Sequence, residues 1–156
     1  MTMVLTQPAP VHHSKFFGHE AGAIGNLNSF GADLSENGVR VGVLTGERVL
    51  TQPASEVAWA IEERIPNVGG MDYAKFSVWT QTMSFHLEGR GSIQVHGDRL
   101  LVTDPNTSLI PTMVVAARQP MAIVGGTGEF MFARGEVVSV RNEDGGYTQT
   151  LTYRLS

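Results

Sequence analysis

The side chains best suited to chemistry lie on the strand-like stretches of the chain, and they are few. Glu47 and Arg48 are charged residues in the middle of an apolar-rich run, and as neighbours on a strand they point to opposite faces. A charge inside a sheet wall needs solvent, a partner or a polar interior. Whichever of the two points inward is a candidate for orienting a ligand's oxygen; the outward one is an ordinary surface residue. Gln81 sits among Trp79, Met83 and Phe85 at two-residue spacing, so an amide shares a face with large apolar groups. The five histidines, His12, His13, His19, His86 and His96, show no metal-like spacing. His86 and His96 fall in strand-like runs and face either an interior or the outer surface. The acidic pairs Glu62-Glu63 and Glu143-Asp144 fall in a helix-like stretch and a turn, where solvation explains them.

The familiar catalytic signatures are absent. Gly125-Gly126-Thr127-Gly128 lacks the Lys-Ser or Lys-Thr of a phosphate-binding loop, and Met131 stands where a dinucleotide fingerprint needs glycine. A glycine-rich turn between strands is the better reading. No serine lies in a nucleophile-elbow pattern. With no cysteine, disulfides, thiolate nucleophiles and Cys-based metal sites are excluded.

The elements that carry these residues read as strands. Eighteen glycines punctuate short β-branched and aromatic runs. Residues 1–13 hold two prolines without clear periodicity and are expected to form a flexible N-terminal arm, leaving 14–156 as one barrel domain. A first strand is expected within Gly22–Leu34, then a hairpin at Glu36-Asn37-Gly38, whose residues tolerate positive φ. Val39–Gln52 follows, with Arg40, Leu44, Arg48 and Leu50 on one face. Pro53 breaks it. Ser55–Ile65, around Trp59, has four-residue apolar spacing and an N-cap serine, which predicts a short helix or lid. Lys75–Leu87 is the clearest strand, with Trp79, Gln81, Met83, Phe85 and Leu87 sharing a face. Further strands are expected over Ser92–His96 and Arg99–Thr103, split by a Gly97-Asp98 turn, and over Met113–Ala117, Met121–Val124, Phe130–Val140 and Tyr147–Leu155. About eight strands joined by hairpins predict an all-β, closed, up-and-down antiparallel barrel.

Bulk composition narrows function. The chain is 42% hydrophobic and 17% charged, with a net charge of -4. It can bury a core, and without a basic stripe it is unsuited to nucleic acid or an anionic membrane surface. Residues 1–10 do not form a signal peptide pattern, and no stretch is long enough to span a bilayer as a helix. A soluble, cytoplasmic protein is expected.

Met121–Gly135 (MAIVGGTGEFMFARG) resembles the signature of plant dirigent proteins and the matching stretch of plant allene oxide cyclases. Arg40–Gln52 resembles the second barrel strand of the cyclases, and Met83–Gly97 their central hairpin. Together with the flanking strands, these blocks, in the right order, cover somewhat under half the chain. The resemblance implies an eight-stranded barrel with a ligand in its lumen, and a homo-oligomer, dimer or trimer. The plant cyclase residues do not carry over: Arg48 stands in place of their lumen cysteine and Val102 in place of a tyrosine. Their N-terminal glutamate-asparagine motif is missing near Lys15–Glu20. Plant dirigent proteins are secreted, which the N-terminus here does not match. Bacterial spirotetronate cyclases, the Diels-Alderase-type branch of the same superfamily, fit better.

The resemblance thus implies a cofactor-free cyclase or isomerase of polyketide biosynthesis acting on a hydrophobic, polyene-like intermediate by (4+2) cycloaddition. Gln81, Arg48 and His96 would hydrogen-bond its oxygens. Trp79, Met83, Phe85, Leu44 and Trp59 would shape the cavity or cap its mouth. A non-catalytic, dirigent-like binder or carrier is the alternative. A Trp, Met and Phe stripe is also what a plain packed core would show.

Overall fold

The computed structural model describes residues 1–15, 24–53, 76–102, 112–114 and 117–156. Nine strands run through them: β1 Thr2–Gln7, β2 Val11–Lys15, β3 Leu27–Glu36, β4 Val39–Gln52, β5 Phe76–Leu87, β6 Gly91–Val102, β7 Arg118–Gly126, β8 Arg134–Arg141 and β9 Tyr147–Arg154. From β3 to β9 each strand pairs antiparallel with the next, β1 pairs with β9, and β1 meets β3 at Thr6 and Ser35. The sheet is thereby an eight-lane closed barrel. β1 and β2 together form one lane, since both lie along β3, and the Pro8-Ala9-Pro10 bend separates them.

Residues 1–13, expected as a flexible arm, are therefore part of the wall. Met3, Leu5 and Gln7 alternate inward on β1, and the two prolines occupy the break where no ladder donor is required. The period-two pattern is present in the sequence, but only three inward residues long. Gly97-Asp98 does not turn either; β6 passes through it unbroken. Gly97 lacks a side chain because Met121 packs over it, where a Cβ would lie 3.0 Å from Met121 Cγ. The strand expected within Gly22–Leu34 is β3, which runs over Leu27–Glu36. Met113–Ala117 forms no strand among its described residues, and Thr112 makes a single bridge to Val102. The helix expected at Ser55–Ile65, and Trp59 with it, lies outside the described residues. Val39–Gln52 and the Asn37-Gly38 turn, with φ of 51° and 80°, are as expected.

One end of the barrel is sealed. Tight turns join β3 to β4 and β5 to β6 there, and the glycine-rich motif makes the cap. Gly128–Phe130 is a 3-10 turn that drives the buried Phe130 into the barrel end, against Tyr153. The Arg90 guanidinium lies 5.0 Å above the Phe130 ring and pairs with Glu129 at 3.1 Å. Thr127 Oγ1 accepts the Ser92 amide at 3.0 Å. Below this cap the lumen is packed with Leu5, Leu34, Leu44, Phe85, Ile93, Val137 and Leu151, all essentially inaccessible. This packed end is where burial of apolar area stabilises the fold.

At Gly126 an added Cβ would collide with the Phe130 carbonyl oxygen and sit 2.6 Å from that of Ser92. Both are backbone atoms and cannot swing aside. Gly126→Ala is expected to destabilise the barrel by about 1–3 kcal/mol, measured by denaturant titration; an unchanged midpoint would show that the cap does not hold the closed end.

Candidate functional site

The other half of the lumen is built differently. Between the packed end and a second apolar layer of Leu50, Trp79, Leu101, Met113 and Tyr147 lies a belt of buried polar side chains. It contains Arg48, Gln81, Arg99, Gln119, Ser139, Gln149 and Gln7. Strand parity places them: each occupies an inward position on its strand, in line with the apolar residues two places away. Of Glu47 and Arg48, it is Arg48 that points inward, and Glu47 is exposed.

Two glycines make room for the belt. Gly46 on β4 pairs with Phe30 on β3, and a Cβ there would collide with the Phe30 ring. The ring lies across the glycine, and the Arg48 guanidinium sits 5.0 Å from its centroid and 6.0 Å from that of Trp79. Both distances are those of cation–π contacts. Gln81 on β5 pairs in register with Arg48 on one side and Gly97 on the other. The missing side chain at Gly97 lets Met121 reach Gln81, its sulfur 3.9 Å from Nε2, while Arg48 donates to Gln81 Oε1 at 3.4 Å. Burial, opposed by the nearby Tyr147 hydroxyl, pushes Arg48 down to about 10, so it stays cationic at neutral pH.

Arg99 organises the opposite wall. Its Nη1 donates to the Gln119 carbonyl and its Nη2 to Ser139 Oγ at 2.6 Å. Ser139 Oγ donates in turn to Gln149 Oε1, and Gln149 Nε2 donates to Gln7 Oε1 at 3.0 Å. The Gln119 side chain fills in for a missing stretch of ladder, accepting the Leu100 amide at 2.7 Å and donating to its carbonyl at 2.6 Å.

These residues surround a recess. Gln7, Pro10, His12, Phe30, Leu44, Arg48, Gln81, Met83, Arg99, Met113, Ser139, Tyr147 and Gln149 line it. It leaves about 20 Å³ for the centres of water-sized groups, and its empty space counted out to open solvent is about 340 Å³. Pro10, in the break of the first lane, and His12, just beyond it, form part of its rim. Half-buried His12 shares a hydrogen bond of 3.0 Å with Asn28 Oδ1. Burial pulls it below its ordinary 6.5, the Asn28 bond opposes this and Arg48 adds to it.

Of the residues singled out in the sequence, Arg48, Gln81, Met83 and Leu44 come together on the recess wall. Trp79 is buried on the same face but belongs to the apolar layer beyond, where its indole donates to Ser77 Oγ at 2.8 Å. Phe85 is in the packed end. His96 is corrected: it is exposed on the outer face of β6, opposite in parity to Val95 and Arg99. Arg99, Ser139, Gln149 and Gln7 are not anticipated by the sequence reading. Their signal is a polar residue on the apolar parity of an alternating strand, as in Tyr147-Gln149-Leu151-Tyr153. Among the described residues no three His, Asp or Glu side chains converge as a metal site would require, and no helix is long and apolar enough to cross a membrane.

No family model and no curated protein matches the chain. Solved structures do. A pyocyanin demethylase superposes with a TM-score of 0.66 at 22% identity, over 99% of this chain and 100% of that one. The Diels Alderase AbmU from Streptomyces koyangensis gives 0.64 at 16% identity, over 99% of this chain and 64% of that one. A heme-binding cyclase that catalyses (4+2) cycloaddition during neoabyssomicin biosynthesis gives 0.58 at 14%, over 100% and 68%. The chain has the fold of these barrels. At such identities the likeness is one of fold, and the lumen residues must speak for function.

His12 supplies a test of the rim. Its folded value is lowered, so the unfolded chain takes up the proton more readily. Stability is full above about pH 6.5 and falls as pH drops through that value toward the lower folded one. His12→Gln is expected to flatten this decline in denaturant titrations between about pH 7.5 and 5; an identical pH profile would place the His12 ring in solvent.

Proposed function

We propose that the chain is a cyclase of natural-product biosynthesis, acting on a hydrophobic polyene-like polyketide intermediate by intramolecular (4+2) cycloaddition. The observation that carries this is the pairing of Arg48 and Gln81, in register on adjacent strands and facing a recess whose wall combines Phe30, Leu44 and Met83 with the polar side chains of the Arg99 belt. In such a reaction two carbon–carbon σ bonds form as three π bonds become one, with no leaving group and no net proton transfer. No external oxidant or base is needed, and so no cofactor is proposed. What the protein can supply is a folded pose, which removes the entropy of alignment, and a hydrogen-bond donor on the dienophile carbonyl, which draws electron density from the reacting alkene.

The Arg48 guanidinium suits that second role. Held near the Phe30 and Trp79 rings and hydrogen-bonded to Gln81, it is positioned before any substrate arrives, so little reorganisation is required in the transition state. The carbonyl end would lie against Arg48 and Gln81, with the carbon chain running along the recess toward solvent. The two (4+2) enzymes of the same fold, one named a Diels Alderase and the other a cycloaddition cyclase, support this reading. Membership of the allene-oxide-cyclase and dirigent superfamily, assembly into dimers or trimers and a cytoplasmic setting belong to the same proposal.

A second reading is a dirigent-like binder that holds such a molecule without changing it. It is favoured by the recess wall itself, whose polar groups are mostly amides, hydroxyls and guanidiniums, with the His12 ring at the rim, all suited to orienting a ligand. The two readings separate in one experiment. A linear triene carrying an α,β-unsaturated ketone is incubated with the protein, and its cyclised product is resolved on a chiral column. The cyclase reading expects one enantiomer above the background rate, with Arg48→Gln and Gln81→Leu slower by about 10²–10³-fold. Racemic product at the background rate, from a triene shown to bind, would leave the binder.

A further inference from the structure

Resting on the reading of the lumen as a ligand site, we infer that the Arg99 relay makes Gln7 a specificity residue that selects ligands whose buried polar atom is an acceptor-only oxygen, a ketone or quinone-type carbonyl. The inference follows from the direction of the hydrogen bonds. Arginine has five N–H donors and no acceptor. Because Arg99 Nη2 points at Ser139 Oγ, that oxygen accepts, and its single hydrogen goes onward to Gln149 Oε1. The Gln149 amide is thereby turned so that its NH2 group faces Gln7 Oε1. Gln7 must then direct its own Nε2 away from Gln149, and Gln7 lines the recess. A donor-only group at one end has set the polarity of three side chains in succession.

The chain that carries this polarity is largely withdrawn from water. Arg99, Ser139, Gln149 and Gln7 are 1, 2, 2 and 7% exposed. Gln7 Nε2 donates to no described group, although the other half of the same amide is engaged at 3.0 Å. A donor so placed rejects a partner that is also only a donor, because both would be left desolvated. The Gln119 amide cannot relax the arrangement, since both its ends are held by the Leu100 backbone. Nor does any described carboxylate face the recess, so the relay meets no competing acceptor among the described residues.

Three tricycles of nearly equal shape serve as probes: fluorenone, which only accepts; carbazole, whose N–H only donates; and fluorene, which does neither. Dissociation constants are read by calorimetry on the full chain. The expected order is fluorenone tightest, with carbazole weaker by about 10–100-fold, and the fluorenone carbonyl stretch moves to lower frequency on binding. Gln149→Glu presents acceptors at both oxygens, so Gln7 turns its Nε2 to the new carboxylate and its Oε1 to the recess; preference is expected to pass to carbazole. Ser139→Ala, nearly isosteric, removes the polarising step and is expected to reduce the preference without reversing it. Gln7→Leu is expected to abolish both the preference and the frequency shift.

Equal binding of all three probes to the parent protein would overturn the inference while leaving the lumen as a ligand site. A preference that persists in Gln7→Leu would assign selection to Arg48 and overturn it as well. If none of the probes binds, both the inference and the ligand-site reading fall. A catalytic failure in the triene assay, by contrast, would leave the fluorenone preference intact, so the two proposals stand or fall separately.

Discussion

A guanidinium taken out of water keeps its charge and all five of its donors, and this constraint orders the upper half of the barrel. Arg99 is 1% exposed in a lumen whose other half is hydrocarbon. Desolvating such a group is costly unless oxygens are brought to it. The Gln119 carbonyl and the Ser139 hydroxyl answer two of its donors, and the orientations of Gln149 and Gln7 follow as consequences. Gln119 itself is there because β6 and β7 separate beyond His96, leaving the Leu100 backbone to be met by a side-chain amide. A defect in the ladder and a buried cation are thus accommodated by the same residue, its side chain mending the one and its carbonyl receiving the other.

The division of labour between the two ends follows from the same constraint. Polar groups pack less densely with hydrocarbon and must satisfy direction as well as volume, so a polar belt cannot carry the stability of the fold. That falls to the sealed end, where Phe130, Phe85, Ile93 and their neighbours fill the lumen and tight turns fix the register. With the closed end holding the barrel, the other half of the lumen is free to carry a recess, a half-buried histidine and two internal guanidiniums. Such an arrangement is typical of sites that sacrifice local stability for a fixed electrostatic field.

The barrel itself is legible in the sequence because its longest strands announce themselves. Trp79 to Leu87 alternates over enough residues to fix both strand and face, and the Asn37-Gly38 turn fixes the hairpin before it. Arg48 stands out as a mid-strand charge, but its direction needs the register with Gln81. β1 escapes notice because three inward residues give too short a pattern and the prolines beside it read as an arm. Gly97 misleads because a glycine that makes room for a methionine looks, in one dimension, like a glycine that makes a turn. The relay is illegible for a deeper reason. Gln7 and Gln149 are 142 positions apart, and only the closure of β1 onto β9 makes them neighbours.

Closure also explains how a barrel of this kind can change its chemistry while keeping its shape. Inward positions at one level come from every strand, so a substitution on β8 or β9 alters the hydrogen-bond polarity of a residue on β1 without disturbing either ladder. The backbone pairing depends on period and turn residues, whereas the lumen's preference depends on which inward positions carry donors fixed in direction. The two sets of positions barely overlap. Structures that share the barrel at 14–22% identity can therefore agree in every strand and differ in what they hold. In this chain the polarity of the belt starts at the donor-only Arg99, since exchanging it for a group that could also accept would release Ser139, and with it the orientation of every amide downstream.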